Sequence, residues 1–506
     1  MKKLNLTKNT IRNFIWGIIN KMVSLLLPFV IRIFIVNILG KEYLGLNNLF
    51  SSILNVLNLA ELGVGSAMVY SMYRPIAEDD ASTICTLLNL YKKTYRIIGT
   101  GIFIVGCILA PFLPYLISGE TNGINIYLIY YIFLIDTVLS YLLFAYKSSL
   151  LTAHQRTDIN SNINTVIQIV LNIFQISAIF LFKNYYLYIF LKPIFTLINN
   201  ICVNIITNNI YPNYQALGTV APNIKKDIII KIRALIGHKI GTTVISSADS
   251  LVISAFLGLE VLAIYSNYYY IIFFVVSVSG IILNGMLAGI GNSLIVESNT
   301  HNYELFENVN FIMLWVVTWC STCLLCLLQP FMKIWMGEDM LLSFHSLIYI
   351  IIYYYSWQMR CTGLYFKDAA GMWREDFWKP YIAAAFNLIM NLLLVKRIGV
   401  NGVFISTIIS MVFINFPWET RVLFKSLFLR SAKRYIINQL LNIIKTLVVC
   451  FFTYYLCLMI SVDNLLDLLI RFILCIFVPN LIFVLLSIKT IEFKNIINMV
   501  RSKIRR

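Results

Sequence analysis

Apolar segments of about 20 residues recur along the whole chain, and their length constrains its fold more than any other feature. A helix rises 1.5 Å per residue, so each segment is long enough to cross about 30 Å of hydrocarbon. Of the 506 residues, 59% are hydrophobic and only 12% are charged, whereas about a quarter of the residues of a soluble domain are charged. The sequence therefore predicts an all-α polytopic membrane protein.

The apolar segments predict fourteen membrane spans. By residue number they are 11–39, 44–72, 86–113, 124–147, 159–182, 185–208, 232–257, 261–296, 309–334, 343–366, 378–396, 400–424, 435–459 and 465–488. An even number of spans places both termini on one side of the membrane. If that side is the cytoplasm, most of the 40 basic residues face inward and few lie in outside loops. We count Lys192 among the basic residues of the outside loops. The positive-inside rule therefore predicts cytoplasmic termini and accounts for the net charge of +17 without a nucleic acid partner.

An internal repeat divides the chain into two similar parts. Leu39–Leu46 reappears as Leu257–Ile264, and Pro111-Phe112 reappears as Pro330-Phe331. The repeat unit contains six spans, an even number, so both copies have the same orientation in the membrane. We therefore predict an N-lobe over residues 1–210, a cytoplasmic linker over 211–231, a C-lobe over 232–425, and two further spans with a basic tail over 426–506.

The first two spans carry polar side chains at helical spacing. In span 1, Lys21 and Arg32 fall on the same face as Ser24 and Pro28. The stripe of span 2 consists of Asn48, Ser51, Asn55, Asn58 and Glu61. A charge at the centre of a membrane costs roughly 2.5–3.5 kcal/mol, so lipid is an unfavourable environment for these faces. We expect both stripes to line a polar cavity inside the protein.

Other interpretations of these charges remain open. Lys21 could extend its ammonium group to the membrane surface, and Arg32 could form a structural ion pair with Glu61. Lys239 occupies the position in the second repeat that corresponds to Lys21. It is either a second cavity cation or part of the positive-inside bias.

Three carboxylates, Glu61, Asp136 and Asp249, fall within predicted spans. A buried carboxylate can bind H⁺ or Na⁺ and release it during a transport cycle. These residues are therefore candidates for ion coupling, and we expect no other cofactor. The alternative is a structural role, such as an ion pair between Asp136 and Lys147, which share a helix face.

Span 10 places Tyr353, Trp357 and Arg360 on one face. Aromatic rings suit the C–H faces of sugars, and a neighbouring cation suits a phosphate group or a uronic acid. Packing against other helices is the competing explanation of such a stripe.

Span 9 contains Cys320, Cys323 and Cys326, whose spacing is typical of metal ligands. They lie in the middle of an apolar helix with no histidine nearby, so packing of small side chains is favoured and no metal site is expected.

Several motifs carry a family resemblance. They are Leu39–Gly45, Glu61–Gly65, Asp249–Gly258, Lys367–Trp373 and Gly399–Gly402. With these motifs the chain resembles the Wzx-like polysaccharide flippases of the multidrug/oligosaccharidyl-lipid/polysaccharide exporter superfamily. The resemblance extends over nearly the whole chain. It implies two parallel six-helix lobes around a central, cation-lined cavity, and transport by alternating access.

The resemblance also implies a substrate, a location and partners. The substrate would be an undecaprenyl-diphosphate-linked oligosaccharide, which is moved from the inner to the outer leaflet of a bacterial cell membrane for capsule or O-antigen export. Besides membrane lipids, the expected partners are a polysaccharide polymerase and glycosyltransferases.

The residues themselves fit this function. A lipid-linked diphosphate carries about two negative charges that hydrocarbon does not compensate, and cations at membrane depth would attract it. The candidate substrate-binding residues are Lys21, Arg32, Asn48, Asn55, Asn58, Lys239, Tyr353, Trp357 and Arg360. A drug or cation antiporter of the same superfamily, which would prefer an acidic cavity, and a peptidoglycan-precursor flippase are the alternatives. The absence of a nucleotide-binding motif and of a large outside loop favours a transporter over an enzyme.

Overall fold

The protein is built from helices joined by short turns. The computed structural model describes residues 6–61, 63–119, 123–372 and 374–504, and within these ranges it contains eighteen α-helices and no β-strand. The chain forms two compact units, Met1–Ala263 and Ile264–Arg506. The prediction of an all-α fold is confirmed.

Unit 1 contains nine helices and the first residues of a tenth. They are α1 (Leu6–Phe34), α2 (Lys41–Leu57), α3 (Val64–Ala77), α4 (Ala81–Leu109), α5 (Ile126–Leu142), α6 (Ala145–Ala153), α7 (Thr157–Phe182), α8 (Tyr185–Ile210), α9 (Pro222–Leu257) and the start of α10 (Leu259–Val296). A π-helical segment, Ile35–Leu39, extends α1, and a 3₁₀ segment, Ala110–Leu116, extends α4.

Unit 2 contains the rest of α10 and eight further helices. They are α11 (Asn299–Met336), α12 (Phe344–Ala369), α13 (Lys379–Ile398), α14 (Val400–Ser410), α15 (Phe416–Val422), α16 (Lys433–Leu458), α17 (Leu465–Ser487) and α18 (Ile491–Ile504). Two π-helical segments, Met411–Asn415 and Leu423–Leu427, follow α14 and α15.

Each of the fourteen predicted spans is largely helical, and two of them, 44–72 and 124–147, are each divided between two helices. Ten helical segments of the described residues are long and apolar enough to cross a membrane, and α5 with α6, which meet at a bend of 48°, would make an eleventh. The predicted spans 44–72 and 343–366 do not meet this criterion, and the first is divided between α2 and α3. In the predicted span 232–257, the stretch Thr243–Leu257 is apolar, and most side chains before Thr243 lie outside the described part of the chain.

Side-chain caps fix the starts of several helices. Asp80 accepts a hydrogen bond from Thr83 N at 2.9 Å at the start of α4, and Asn125 accepts one from Leu128 N at 3.0 Å at the start of α5. The first amides of a helix have no carbonyl partner within it, so such caps stabilise the helix ends. Asn184, Ser298, Ser343 and Asn464 cap α8, α11, α12 and α17 in the same way.

The predicted span 44–72 is broken between α2 and α3. A 3₁₀ turn, Asn58–Glu61, ends α2, and Gly63 before α3 has φ of 89°. Glycine adopts this left-handed conformation without the steric cost that other residues incur. The break places the Glu61 side chain beside α4, where it accepts a hydrogen bond from Tyr95.

Close packing of α2 on the α9–α10 turn explains why unit 1 extends to Ala263. A Cβ atom on Gly45 would lie only 2.2 Å from the carbonyl oxygen of Leu259, so this approach requires glycine. The boundary between the two compact units therefore lies C-terminal to the predicted linker at 211–231. The predicted lobes follow the internal repeat instead, and they stay a prediction.

The first half of the predicted linker packs on the turn between α6 and α7. The ring of His154 lies 4.3 Å from that of Tyr211 and 5.5 Å from that of Tyr214. His154 is buried, and burial lowers the pKa of its imidazole. The second half of the linker is helical, because α9 begins at Pro222.

Candidate functional site

A lysine within α8 belongs to the interior of unit 1. Lys192 Nζ donates to Asn47 Oδ1 of α2 at 3.2 Å and lies 4.4 Å from the centroid of the Phe133 ring of α5. The Lys192 side chain is half-buried. Counting this lysine with the outside loops was therefore wrong. The sequence contained the signal, because Lys192, Thr196 and Asn200 recur at helical spacing within the predicted span 185–208.

The predicted coupling residue Asp136 lies beside Lys192. Thr196 Oγ1 donates to Asp136 Oδ1 at 2.6 Å, and Asp136 and Lys192 interact electrostatically. The alternative partner Lys147 is bound elsewhere, since its Nζ donates to Asn208 Oδ1 at 2.7 Å and to the carbonyl oxygen of Tyr214 at 3.1 Å. The lysine beside Asp136 is therefore Lys192 of α8 and not Lys147.

Arg32 is brought to the same part of unit 1. Its side chain is half-buried and interacts electrostatically with the Tyr188 hydroxyl group, beside which Asn47 also lies. Lys192 Nζ in turn lies 6.0 Å from the centroid of the Tyr188 ring. We call this group of side chains the α8 cluster, and it consists of Arg32, Asn47, Asp136, Tyr188, Lys192 and Thr196.

The α8 cluster carries an excess of positive charge. It contains two cations, Arg32 and Lys192, and one carboxylate, Asp136. Arg32 lies about 10 Å along the helix axis from Leu39, where its helical segment ends. Lys192 lies about 10 Å along the axis of α8 from its start at Tyr185. The guanidinium group can bind two phosphate oxygens at once, and the ammonium group acts as a compact point charge. The cluster is therefore suited to an anion at membrane depth.

The rest of the predicted face of α1 is divided between two environments. Lys21 is exposed. Ser24 Oγ donates to Gln168 Oε1 of α7 at 2.8 Å, so this part of the stripe is a helix contact. Helical spacing groups these residues on one face, but it did not show that α7 covers Ser24.

The predicted stripe of α2 is also only partly interior. Asn48 is half-buried and its Nδ2 donates to the Leu44 carbonyl oxygen at 2.6 Å, within its own helix. Asn55 is exposed. Asn58 is half-buried, and its Oδ1 is buried without a hydrogen-bond partner among the described residues.

A cleft of about 540 Å³ opens at the break between α2 and α3. A chain of hydrogen bonds runs along its wall. Ser149 Oγ donates to the Tyr91 hydroxyl at 3.1 Å, Tyr91 donates to Tyr95 at 2.6 Å, and Tyr95 donates to Glu61 Oε1 at 2.6 Å. We call this site the α3 cleft, and its lining includes Glu61, Tyr70, Tyr73, Tyr91, Tyr95 and Ser149. It combines exposed aromatic rings with an acid, which is a surface that suits sugars or cations.

The predicted cation of unit 2 has a buried acidic partner that sequence reasoning missed. Arg360 of α12 binds Glu419 of α15 through two bonds, from Nε to Oε2 at 2.9 Å and from Nη2 to Oε1 at 2.6 Å. Lys379 Nζ also donates to Glu419 Oε1 at 2.6 Å and lies 2.8 Å from Asp376 Oδ2, which in turn contacts Lys367. We call these five residues the buried charge network.

The two aromatic residues predicted beside Arg360 lie together on α12. Tyr353 is buried, Trp357 is half-buried, and their ring centroids are 5.7 Å apart. The substrate role of this group stays a prediction. Asp249 is buried in α9, and the side chain of Lys239 lies outside the described part of the chain.

Comparison with known proteins identifies the family. The model of the family described as "Polysaccharide biosynthesis protein" matches residues 10–288, which is more than half of the chain. No curated protein sequence matches significantly.

Solved structures share the fold. The chain is similar to the Lipid II flippase MurJ in an inward closed conformation, with a TM-score of 0.67 and 15% identity over 94% of this chain and 98% of that one. It is also similar to a multidrug resistance MATE family transporter of the MOP superfamily in an inward-facing conformation (TM-score 0.59, 13% identity, 80% and 97% coverage). The MATE transporter VcmN of Vibrio cholerae gives a TM-score of 0.56 at 16% identity, with 84% and 99% coverage.

At these identities the similarity shows a common fold and not a common substrate. The fold is that of MOP-superfamily transporters. Together with the match of the family model, it establishes that this chain is a member of the polysaccharide biosynthesis protein family.

Proposed function

We propose that the protein is a flippase for an undecaprenyl-diphosphate-linked oligosaccharide. It moves this lipid from the inner to the outer leaflet of a bacterial cell membrane by alternating access, as a step in the biosynthesis of a surface polysaccharide such as a capsule or O-antigen. Membership of the polysaccharide biosynthesis family and the transporter fold support this proposal. Both termini are cytoplasmic in this proposal, and the protein is a transporter and not an enzyme.

The positive α8 cluster is the observation that carries the proposal. Two cations beside one carboxylate attract a diphosphate, since a guanidinium group can bind two phosphate oxygens at once and an ammonium group acts as a compact point charge. Lys192 and Arg32 would bind the diphosphate, and Thr196 holds the Asp136 carboxylate through its hydroxyl group. A cluster of the opposite sign would suit the cationic drugs of an antiporter.

Two further sites extend the proposed path. Lys21, about 16 Å from Arg32 along α1, would receive the headgroup first and pass it on. The α3 cleft offers the exposed rings of Tyr70 and Tyr73 to the sugars. Tyr353, Trp357 and Lys239 remain proposed contacts in the second half of the chain.

The membrane potential is the proposed drive. With the inside negative, the outward movement of negative charge is favoured by roughly 2.3 kcal/mol per charge per 100 mV. Coupling to H⁺ or Na⁺ through Glu61, Asp136 or Asp249 would replace this contribution if the ion neutralised the substrate. A polysaccharide polymerase and glycosyltransferases are the proposed partners in the membrane.

A peptidoglycan-precursor flippase is the second candidate function. It is favoured by the similarity to the Lipid II flippase MurJ, which extends over 94% of this chain. The two candidates share a lipid diphosphate and differ in the attached glycan. The glycan that accumulates when the protein is absent distinguishes them.

The test is deletion of the gene followed by complementation. We expect the deleted strain to lose a surface polysaccharide and to accumulate a lipid-linked oligosaccharide in the inner leaflet. The natural protein and Lys21→Arg should restore export, whereas Lys192→Glu, Arg32→Ala and Lys21→Glu should not, although each still reaches the membrane. The proposal is wrong if no lipid-linked glycan accumulates, or if Lys192→Glu and Arg32→Ala both export normally.

A further inference from the structure

Unit 2 brings together cysteines that are far apart in the sequence. Cys326 of α11, Cys457 of α16 and Cys475 of α17 are buried, and their Sγ atoms all lie within 4.8 Å of one another. The Sγ atoms of Cys457 and Cys475 are 3.9 Å apart. The packing explanation for the cysteines of α11 was based on that helix alone, and it did not include the thiols of two other helices.

A fourth cysteine lies beside these three. Cys323 precedes Cys326 by three residues, so both side chains are on one face of α11. Cys323 Sγ lies 3.7 Å from the carbonyl oxygen of Cys475. The pair has the Cys-x₂-Cys spacing that is common in sites for thiophilic metals. We call Cys323, Cys326, Cys457 and Cys475 the cysteine cluster.

The separations fit a metal ion better than a disulfide bond. A Zn²⁺ ion binds sulfur at about 2.3 Å, so two sulfurs of a tetrahedral site are about 3.8 Å apart. A disulfide joins two sulfurs at about 2.05 Å and leaves the others unused. Three sulfurs that are mutually close therefore match a common central ion.

A neighbouring arginine supplies part of the charge balance. Arg471 of α17 interacts electrostatically with Cys457 and Cys475. Its Nε donates to the carbonyl oxygen of Ile460 at 2.9 Å and its Nη1 to that of Cys326 at 3.4 Å. Within the described residues no carboxylate lies within ion-pair distance of Arg471. Three thiolates, one divalent cation and one guanidinium group together carry no net charge.

We propose that the cysteine cluster is a structural site for a thiophilic divalent cation, with Zn²⁺ as the occupant. Cys326, Cys457 and Cys475 bind the ion as thiolates and release their three protons to solvent, and the neighbouring Cys323 is the candidate for a fourth ligand. The ion joins α16 and α17 to α11. This site shares no residue with the proposed transport path, and its failure would leave the flippase proposal untouched.

The test measures bound zinc on the purified full-length protein. After reduction, incubation with zinc sulfate and desalting, we expect about one zinc ion per chain by elemental analysis. Cys457→Ser and Cys475→Ser should lose at least nine tenths of this zinc. Cys450→Ser is the matched control, since Cys450 is also buried on α16 but contacts Thr322 at 3.3 Å instead. Substitution with Co²⁺ should give thiolate-to-metal charge-transfer absorption that Cys457→Ser lacks.

A second measurement on the natural protein covers the case in which the variants do not fold. Zinc should protect the three thiols from alkylation, as counted by mass spectrometry, and a chelator should remove this protection. The proposal is overturned if the natural protein binds no stoichiometric zinc, or if Cys457→Ser binds as much as the Cys450→Ser control. A Cys457–Cys475 disulfide in freshly isolated, unreduced protein would overturn it in favour of a redox pair.

Discussion

Replacement of Glu419 by glutamine should destabilise unit 2 strongly. Glu419 is the acceptor for both Arg360 and Lys379, at distances of 2.6–2.9 Å. The side chains of Arg360, Lys379 and Glu419 are only 11%, 8% and 6% exposed. Glutamine keeps the shape but removes the negative charge. Lys379 would retain Asp376, whereas Arg360 would lose the only carboxylate that the described residues offer it within ion-pair distance.

The expected magnitude follows from the burial of the pair. Removal of one partner from a buried ion pair costs about 3–5 kcal/mol, because the other charge stays buried without compensation. Glutamine still accepts one hydrogen bond from Arg360, so we expect a loss of about 3 kcal/mol. In a unit of this size, each kcal/mol of lost stability lowers the unfolding midpoint by about 2–4 °C, so we expect the midpoint to fall on the order of 10 °C.

The assay is the thermal unfolding midpoint of purified protein in detergent, followed by size-exclusion chromatography. Glu338→Gln is the matched control, because Glu338 pairs with Lys333 at 2.8 Å on the surface, where both side chains are largely exposed. We expect no measurable change for this control. The double variant Glu419→Gln/Arg360→Gln should recover part of the loss, since two neutral groups replace the pair. A Glu419→Gln protein as stable as the natural one, or a double variant less stable than the single one, would refute this reasoning.

Three further predictions concern unit 1. Since burial holds the pKa of His154 below its usual value of about 6.5, the unfolded chain takes up a proton first as the pH falls. The thermal midpoint should therefore decrease between about pH 7 and pH 5.5, and decrease less in His154→Gln. Gly45→Ala should reduce the yield of folded protein on size-exclusion chromatography, because its Cβ would meet the Leu259 carbonyl oxygen at 2.2 Å. Gly101→Ala, where nothing lies within 4 Å, should not reduce it. Glu61→Gln should retain surface-glycan export, because an amide oxygen still accepts a hydrogen bond at that position; loss of export with normal insertion would instead indicate obligatory coupling through Glu61.

The length of the apolar segments was sufficient to predict most of the long helices, whereas α18 lies beyond the last apolar segment and was not predicted. A span of about 20 apolar residues has no other stable structure in a membrane, because each backbone amide must be satisfied within its own segment. The break between α2 and α3 was harder to predict. It depends on Gly63 at φ of 89°, and within an apolar pattern a single glycine is also tolerated in a continuous helix.

Partners between helices could not be predicted from spacing. Spacing groups Ser24 with Arg32 on one face of α1, yet the pattern did not show that Ser24 packs on Gln168 of α7. Glu419 was missed as the partner of Arg360, since 59 residues separate them in the chain. Helical periodicity indicates which side chains share a face, whereas tertiary packing decides what that face contacts.

Lys192 is a second residue whose contacts could not be predicted from helical spacing. It was counted as one more positive charge outside, although the predicted span contained it. Only the packing of α8 against α2 and α5 places its ammonium group beside Asn47 and the ring of Phe133. The proposed anion site therefore combines one cation expected from the sequence, Arg32, with one that the fold supplies.

The most direct test of the proposed function is the movement of a diphosphate-linked lipid oligosaccharide across vesicles reconstituted with the purified protein. Substrate placed in the inner leaflet is counted as it becomes accessible to an impermeant, glycan-specific enzyme outside. The variants to compare are Arg32→Ala/Lys192→Ala and, as a control, Lys183→Ala, whose side chain is exposed at the end of α7. We predict that the natural protein and Lys183→Ala move the lipid at the same rate and that the double variant is at least tenfold slower. Equal rates in all three proteins, or no movement above that in protein-free vesicles, would contradict the account.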